Sequence, residues 1–172
     1  LALGGIVCSA SVRIGGNRFD MAIMEYIRRK YNLAIGEITA EDIKKNIGSA
    51  LYLEEKMYMN VRGRDMISGL PKTIVVSSDD VTEALQSDLE GIANAVKGVL
   101  HRTPPELAAD VIDKGIVMSG GSSLLRNIDK LITQATGLSA YVADDALYCV
   151  ARGTGIALEN LESYKRSILA TK

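Results

Sequence analysis

One histidine, His101, and two cysteines, Cys8 and Cys149, are all that this 172-residue chain offers of the side chains that most often bind transition metals. Histidine-based metal sites and catalytic triads are therefore not expected. The cysteines lie far apart, without the paired spacing of a zinc or redox site, and read as reduced, packed thiols. No apolar run approaches the roughly 20 residues of a membrane span, and nothing at the start resembles a signal peptide, so a cytoplasmic protein is expected. An excess of either charge is missing too. Twenty basic against 21 acidic residues give a net charge of -1 without a long single-sign run, which argues against nucleic acid as a partner.

What is present is a globular composition, 47% hydrophobic and 24% charged, long enough for one ordinary domain or two small lobes. The chain begins without methionine and enters a Gly4-Gly5 turn, followed by an alternating segment from Ile6 to Ile14 that reads as a strand. A hairpin turn needs a strand before it, so the sequence reads as the C-terminal part of something longer.

The organising stretch is Lys114 to Leu125. Ile116, Val117 and Met118 suit one buried strand, Ser119 to Ser123 form a glycine turn, and Leu124, Leu125, Ile128, Leu131 and Ile132 recur at helical spacing. Adjacent glycines bring bare backbone amides close to a ligand, and a helix start adds unpaired N–H groups and a positive dipole end. That geometry suits a nucleotide, although many α/β proteins make the same turn for packing alone.

Elsewhere, Asn17 with Asp20 reads as a capping-box-like helix start ahead of the stripe Phe19, Ile23, Ile27 and Tyr31, with Arg28, Arg29 and Lys30 in the last turn. Thr39 with Asp42 predicts the next helix, Ile43 and Ile47 facing inward, Glu41 and Lys44 together on an exposed face and Gly48 at the end. Period-two segments over 56–62 and 72–76, with turn material at 63–65 and 68–69, predict a small antiparallel sheet. Boxes at the start of 78–85 and at Ser87 with Glu90 predict two helices meeting near Gln86. Thr103 reads as the cap of a further helix opened by Pro104 and Pro105. Residues 139–143 read as a strand, and the helix from Ala146 is expected to be interrupted at Gly153 and Gly155, where close packing or a bend would need glycine.

Seven stretches in order along the chain carry a resemblance: 11–20 (SVRIGGNRFD), 35–44 (IGEITAEDIK), 61–65 (VRGRD), 69–71 (GLP), 102–110 (RTPPELAAD), 115–121 (GIVMSGG) and 149–155 (CVARGTG). Together they resemble the MreB family of bacterial actin-like cytoskeletal proteins and its Mbl paralogues. The resemblance implies an α/β fold, the second half of an actin-like ATPase: a ribonuclease-H-like sheet lobe from residues 1–16 and 88–172, with a smaller α+β lobe inserted over 17–87. It implies ATP or ADP with magnesium between two halves, and self-association into membrane-associated filaments. Those filaments would maintain rod shape by organising cell-wall synthesis and morphogenesis proteins.

By the same resemblance, Gly120, Gly121, Ser122 and Ser123 match the loop that approaches adenosine. Glu41, Asp42, Ile43 and Lys44 match the ribose and adenine contacts, and Gly16 and Asn17 match the turn at the cleft floor. Asn46 stands where the family often has glutamate. The family's two phosphate loops, magnesium ligands, water-positioning carboxylate and membrane-binding elements match nothing here. Since phosphate and metal electrostatics dominate phosphoryl transfer, ATPase activity is expected of the complete protein and not of this chain alone. The other half of the same protein is thus an expected partner. Two alternatives stand beside this reading: a naturally truncated interaction module, and the nucleotide-binding half of a small-molecule kinase, for which no acceptor-binding base is evident.

Overall fold

The stripe of Phe19, Ile23 and Ile27 is buried along helix α1 (Gly16–Tyr31) in the computed structural model, which describes residues 5–161 and residue 164. Gly15 is the N-cap of α1, in an extended conformation without a side-chain cap. The expected box from Asn17 and Asp20 does not form, because the Asp20 carboxylate is turned to Lys44 instead. Asn32 ends the helix in the left-handed region at φ 51°, which asparagine tolerates.

After the short strand β1 (Leu33–Ala34), helix α2 (Glu37–Ile47) starts at Gly36 rather than at Thr39. Ile43 and Ile47 are buried as the spacing requires, and the Gly48 N–H caps the helix on the Lys44 carbonyl at 3.0 Å. The expected Glu41–Lys44 surface pair is replaced. Glu41 pairs with Lys45, one helical turn on, at 2.8 Å, while Lys44 reaches inward.

Strands β2 (Tyr58–Asp65) and β3 (Pro71–Ser77) form the predicted antiparallel hairpin, with β1 completing a three-stranded sheet in the order β1-β2-β3. Residues 63–65, read as turn from sequence, continue β2, pairing Gly63 with Lys72 and Arg64 with Pro71. Gly63 is needed because a Cβ there would lie 2.4 Å from the Ala34 carbonyl oxygen across the sheet.

Helix α3 (Ser78–Arg102) runs unbroken for 25 residues, so the junction expected near Gln86 is absent. Its capping box is Ser77 with Asp80. At Ser87 the apolar stripe simply continues from Leu85 to Leu89, both buried, leaving no reason for a new start. Thr103 ends this helix instead of capping the next, its hydroxyl donating to the Val99 carbonyl at 2.9 Å. One apolar cluster joins α1, α2, β2, β3 and α3 to Leu125 and Ile128.

The segment from Ile6 to Ile14 is not a strand, as no strand among the described residues lies beside it to share a ladder. It lies instead along α3: Arg102 donates to the Ser9 carbonyl at 3.2 Å, and Ile14 rests where a side chain at Gly91 would be. Helix α4 (Pro105–Lys114) then leads to β4 (Ile116–Met118), which pairs in parallel with β5 (Ala140–Val142). The helix expected directly after the glycine turn is split: a 3-10 turn (Gly121–Leu124), a left-handed Asn127 and only then α5 (Ile128–Thr136). Helix α6 (Cys149–Glu159) is continuous through Gly153 and Gly155, where an added Cβ would meet open space among the described residues.

Candidate functional site

Three backbone turns converge on a cleft of about 810 Å³: the start of α1, the end of α2, and the 3-10 turn after β4. Gly16 and Asn17 come from the first, Glu41, Lys44 and Gly48 from the second, Gly121 and Ser122 from the third. A second set of bonds holds the last two together. The Ala50 N–H donates to the Arg126 carbonyl at 2.8 Å, Asn127 Nδ2 donates to Ser49 Oγ at 3.1 Å, and Arg126 Nη1 donates to the Gly48 carbonyl at 3.3 Å.

The wall facing the cleft is bare backbone where it matters. A methyl group at Gly16 would sit 3.5 Å from Lys44 Nζ and 3.9 Å from Ser122 Oγ, and one at Gly121 would sit 3.4 Å from Leu147 Cδ2. Gly120 lies at φ 88°, a conformation that favours glycine, and its N–H is bonded to the Ala146 carbonyl at 2.8 Å. The first amides of the 3-10 turn have no partner within that turn. The lining therefore combines bare backbone at Gly16 and Gly121 with the exposed apolar side chains of Leu124 and Leu147.

Electrostatics at the cleft centre on Lys44. Its Nζ donates to Asp20 Oδ2 at 3.0 Å and to the Gly16 carbonyl at 3.2 Å, and lies 2.8 Å from Asp20 Oδ1. That last contact is close but misaligned, leaving Oδ1 buried with no hydrogen bond of its own. At the rim, the hydrogen bond and charge of Lys45 hold the Glu41 carboxyl below its ordinary range, and Glu41 raises Lys45 in return.

Six of the residues singled out from sequence line this cleft together: Gly16, Asn17, Glu41, Lys44, Gly121 and Ser122. Four are placed otherwise. Ile43 is fully buried in the core and Asp42 is exposed, its carbonyl accepting from Asn46 Nδ2 at 2.7 Å. Gly120 forms the turn behind the cleft, and Ser123 is buried with its hydroxyl donating to the Gly120 carbonyl at 2.7 Å. Sequence reasoning missed Asp20, Lys45, Arg126 and Leu147. Asp20 was within reach, one turn beyond Gly16 on the same helix face. Leu147 arrives from the distant segment after β5 and carries no local signal.

Among the described residues no group of histidine, cysteine, aspartate or glutamate is arranged to hold a metal ion, and no helix is long and apolar enough to cross a membrane. The cleft thus offers bare backbone at Gly16 and Gly121 and polar groups of mixed charge at Asp20, Glu41, Lys44, Lys45 and Arg126.

Comparison with known proteins agrees with this architecture. Residues 1–166 match the family model described as MreB/Mbl protein. The chain is 46% identical over 169 residues to the cell shape-determining protein Mbl of Bacillus cereus, covering 98% of this chain and 51% of that one. It is 49% identical over 164 residues to the cell shape-determining protein MreB of Escherichia coli, covering 95% and 47%. The crystal structure of MreB5 of Spiroplasma citri bound to AMPPNP superposes with a TM-score of 0.87 at 41% identity, over 95% of this chain and 49% of that one. The MamK double helical filament, at 19% identity and a TM-score of 0.66, shares the fold. The chain spans about half the length of the curated relatives it matches. On the match over nearly its whole length, this chain belongs to the MreB/Mbl family and has the actin-like fold of part of those proteins.

Proposed function

We propose that this chain supplies the adenosine side of an ATP site in an MreB-type cell-shape protein, with the phosphates and magnesium held by the other half of the complete molecule. The observation that carries the reading is the bare-backbone cleft between Gly16, Lys44 and Gly121. Two of the solved relatives, both MreB5 of Spiroplasma citri, were determined bound to AMPPNP and to ADP, which supports a nucleotide as the ligand.

In this reading Gly120, Gly121, Ser122 and Ser123 form the loop against adenosine, Glu41 to Lys44 flank the ribose and base, and Gly16 with Asn17 form the floor. Ile43 and Ser123 act from beneath, by packing α2 and the glycine turn. Residues 17–87 form the inserted lobe and 1–16 with 88–172 the larger one, α3 crossing between them. ATP closes the two halves of the complete protein on each other and favours filaments, which lie on the cytoplasmic face of the membrane and organise cell-wall synthesis. Hydrolysis belongs to the complete protein, because phosphate and metal ligands make the dominant contribution to phosphoryl transfer.

The test is a chimera in which this chain replaces the matching half of Escherichia coli MreB. Cells relying on it are expected to keep a rod shape, and Gly121→Val, which places a bulky side chain in the loop against adenosine, is expected to abolish that. Rods maintained equally by the Gly121→Val chimera would overturn the assignment of the cleft.

A further inference from the structure

We propose that the free edge of β3, with the open face of its sheet, is a docking site for an extended acidic segment of a partner protein, taken up as a fourth strand.

Strand β3 ends the order β1-β2-β3, and no strand among the described residues lies on its other side. The hairpin itself shows which of its backbone groups are free. At one end the Asp65 N–H donates to the Leu70 carbonyl at 2.9 Å, and at the other the Ser78 N–H donates to the Met57 carbonyl at 2.8 Å. Hydrogen-bonded pairs alternate along an antiparallel ladder, so between these ends the backbones of Lys72, Ile74 and Val76 face β2. Those of Pro71, Thr73, Val75 and Ser77 face outward. Pro71 has no N–H to offer, and the Ser77 N–H donates to Asp80 Oδ2 at 2.8 Å. What remains is a window at Thr73 and Val75, two donors and two acceptors wide. A long, flat edge invites indiscriminate pairing, whereas a window this short suits one added strand.

The side chains around the window set the chemistry of that strand. One face of the sheet packs on the core through Val61 and Val76. The other is open, with Tyr58, Asn60, Arg62 and Arg64 from β2 and Thr73 and Val75 from β3 all exposed. Neither strand adds an acid to this face, in a chain whose net charge is -1. Arg62 and Arg64 have no ion-pair partner among the described residues. They stand two residues apart, about 7 Å along the strand, which is also the spacing of alternate side chains on an added strand. Arg62 lies opposite Thr73 and Arg64 opposite Pro71, so only small side chains separate the arginines from the edge. Carboxylates two residues apart on the incoming segment therefore reach both guanidinium groups, and an apolar side chain two residues before them covers Val75, which is 55% exposed.

The experiment titrates this chain with a capped peptide, Thr-Val-Thr-Glu-Thr-Glu-Thr, followed by amide chemical shifts. Run antiparallel to β3, the peptide sets its valine beside Val75 and its glutamates beside Thr73 and Pro71. Shifts are expected to gather at 58–64 and 71–77. They should vanish when lysines replace the glutamates, and when proline replaces the valine, which keeps the charges but breaks the ladder. On the protein side, Val75→Pro removes an N–H that the hairpin does not use, so it should keep the fold by circular dichroism and lose the peptide. Arg62→Gln leaves the backbone untouched and should bind about three- to tenfold more weakly. No shifts, or shifts gathered elsewhere, would overturn the proposal. Equal binding of the proline peptide, or unchanged binding by Val75→Pro, would also overturn it, because charge alone would then hold the peptide. Capture by phosphatidylglycerol vesicles that Arg62→Gln weakens, without peptide binding, would overturn it in favour of a membrane contact.

Discussion

Replacing Lys44 with methionine removes a buried cation while keeping its aliphatic stem. The Lys44 side chain is 15% exposed and that of Asp20 12%, so the ion pair is screened far less than one on the surface. The methionine variant leaves the Asp20 carboxylate without its only donor among the described residues, and one of its oxygens already lacks an aligned hydrogen bond. Breaking a buried pair from one side costs about 3–5 kcal/mol, whereas replacing both partners by neutral groups of similar shape costs much less. Lys44→Met is therefore expected to lower stability by about 3 kcal/mol. Lys44→Met with Asp20→Asn should recover at least about 1 kcal/mol of that, a coupling above the additivity expected of independent sites. Urea unfolding followed by circular dichroism measures both, provided the slopes stay equal between variants. Single-variant losses under about 0.5 kcal/mol would show a solvated pair without structural consequence, and the cleft would lose the element that ties α1 to α2.

The remaining predictions concern the frame around the cleft. Burial opposes ionisation of Asp80, but the hydrogen bond from Lys30, with further ones from Ser77 and Tyr31, outweighs it and draws the carboxyl down to about 2. A depressed carboxyl stabilises the fold above its unfolded value near 4 and loses that contribution as pH falls through 2. Allowing for the half-exposed ammonium of Lys30, about 1–2 kcal/mol should disappear over that window, and the Asp80→Asn variant should lack this acid slope in pH-dependent urea unfolding. At the other end, burial and the hydrogen bond to Glu83 push the Tyr26 phenol up to about 12, so its share of stability is present below pH 10 and fades as pH rises through 12. Absorbance titration of tyrosine should show that late-titrating group. Gly63→Ala drives a methyl group to 2.4 Å from the Ala34 oxygen and should cost about 1–3 kcal/mol, read as a lower thermal midpoint. Gly16→Ala meets only ordinary contacts, so its thermal midpoint should match that of the unsubstituted chain.

Where one signal dominated, the sequence was legible. The alternation that buries Val61 between exposed Asn60 and Arg62 follows directly from a half-buried sheet, and the α1 stripe was equally plain. The strand before Gly120 is where it was expected, but it is not the buried strand the sequence suggested, since Val117 is 57% exposed. Helix ends were harder because side chains at cap spacing found better partners elsewhere. Asp20 went to Lys44, and the caps of α1 and α2 fell to Gly15 and Gly36. The helix start read at Ser78 and the box read at Ser87 looked alike, but only the first marks a start, its box formed by Ser77 with Asp80, since Leu85 and Leu89 carry one buried stripe past Ser87. The segment from Ile6 to Ile14 has strand alternation without a neighbouring strand, a dependence that no local pattern records. In the cleft, residues on short turns were visible as motifs. Arg126 and Leu147, which close the cleft through bonds and packing made by tertiary structure, were not.

The most direct test of the central claim is a titration of this chain with adenosine, followed by amide chemical shifts. Binding in the millimolar range, roughly 4 kcal/mol, is expected from base and ribose contacts alone, with ATP binding no more than slightly tighter. The shifts should gather at Gly16, Lys44, Gly121 and Ser122. Shifts scattered elsewhere, or micromolar affinity for ATP with none for adenosine, would contradict the account, because the cleft would then hold phosphate rather than the nucleoside.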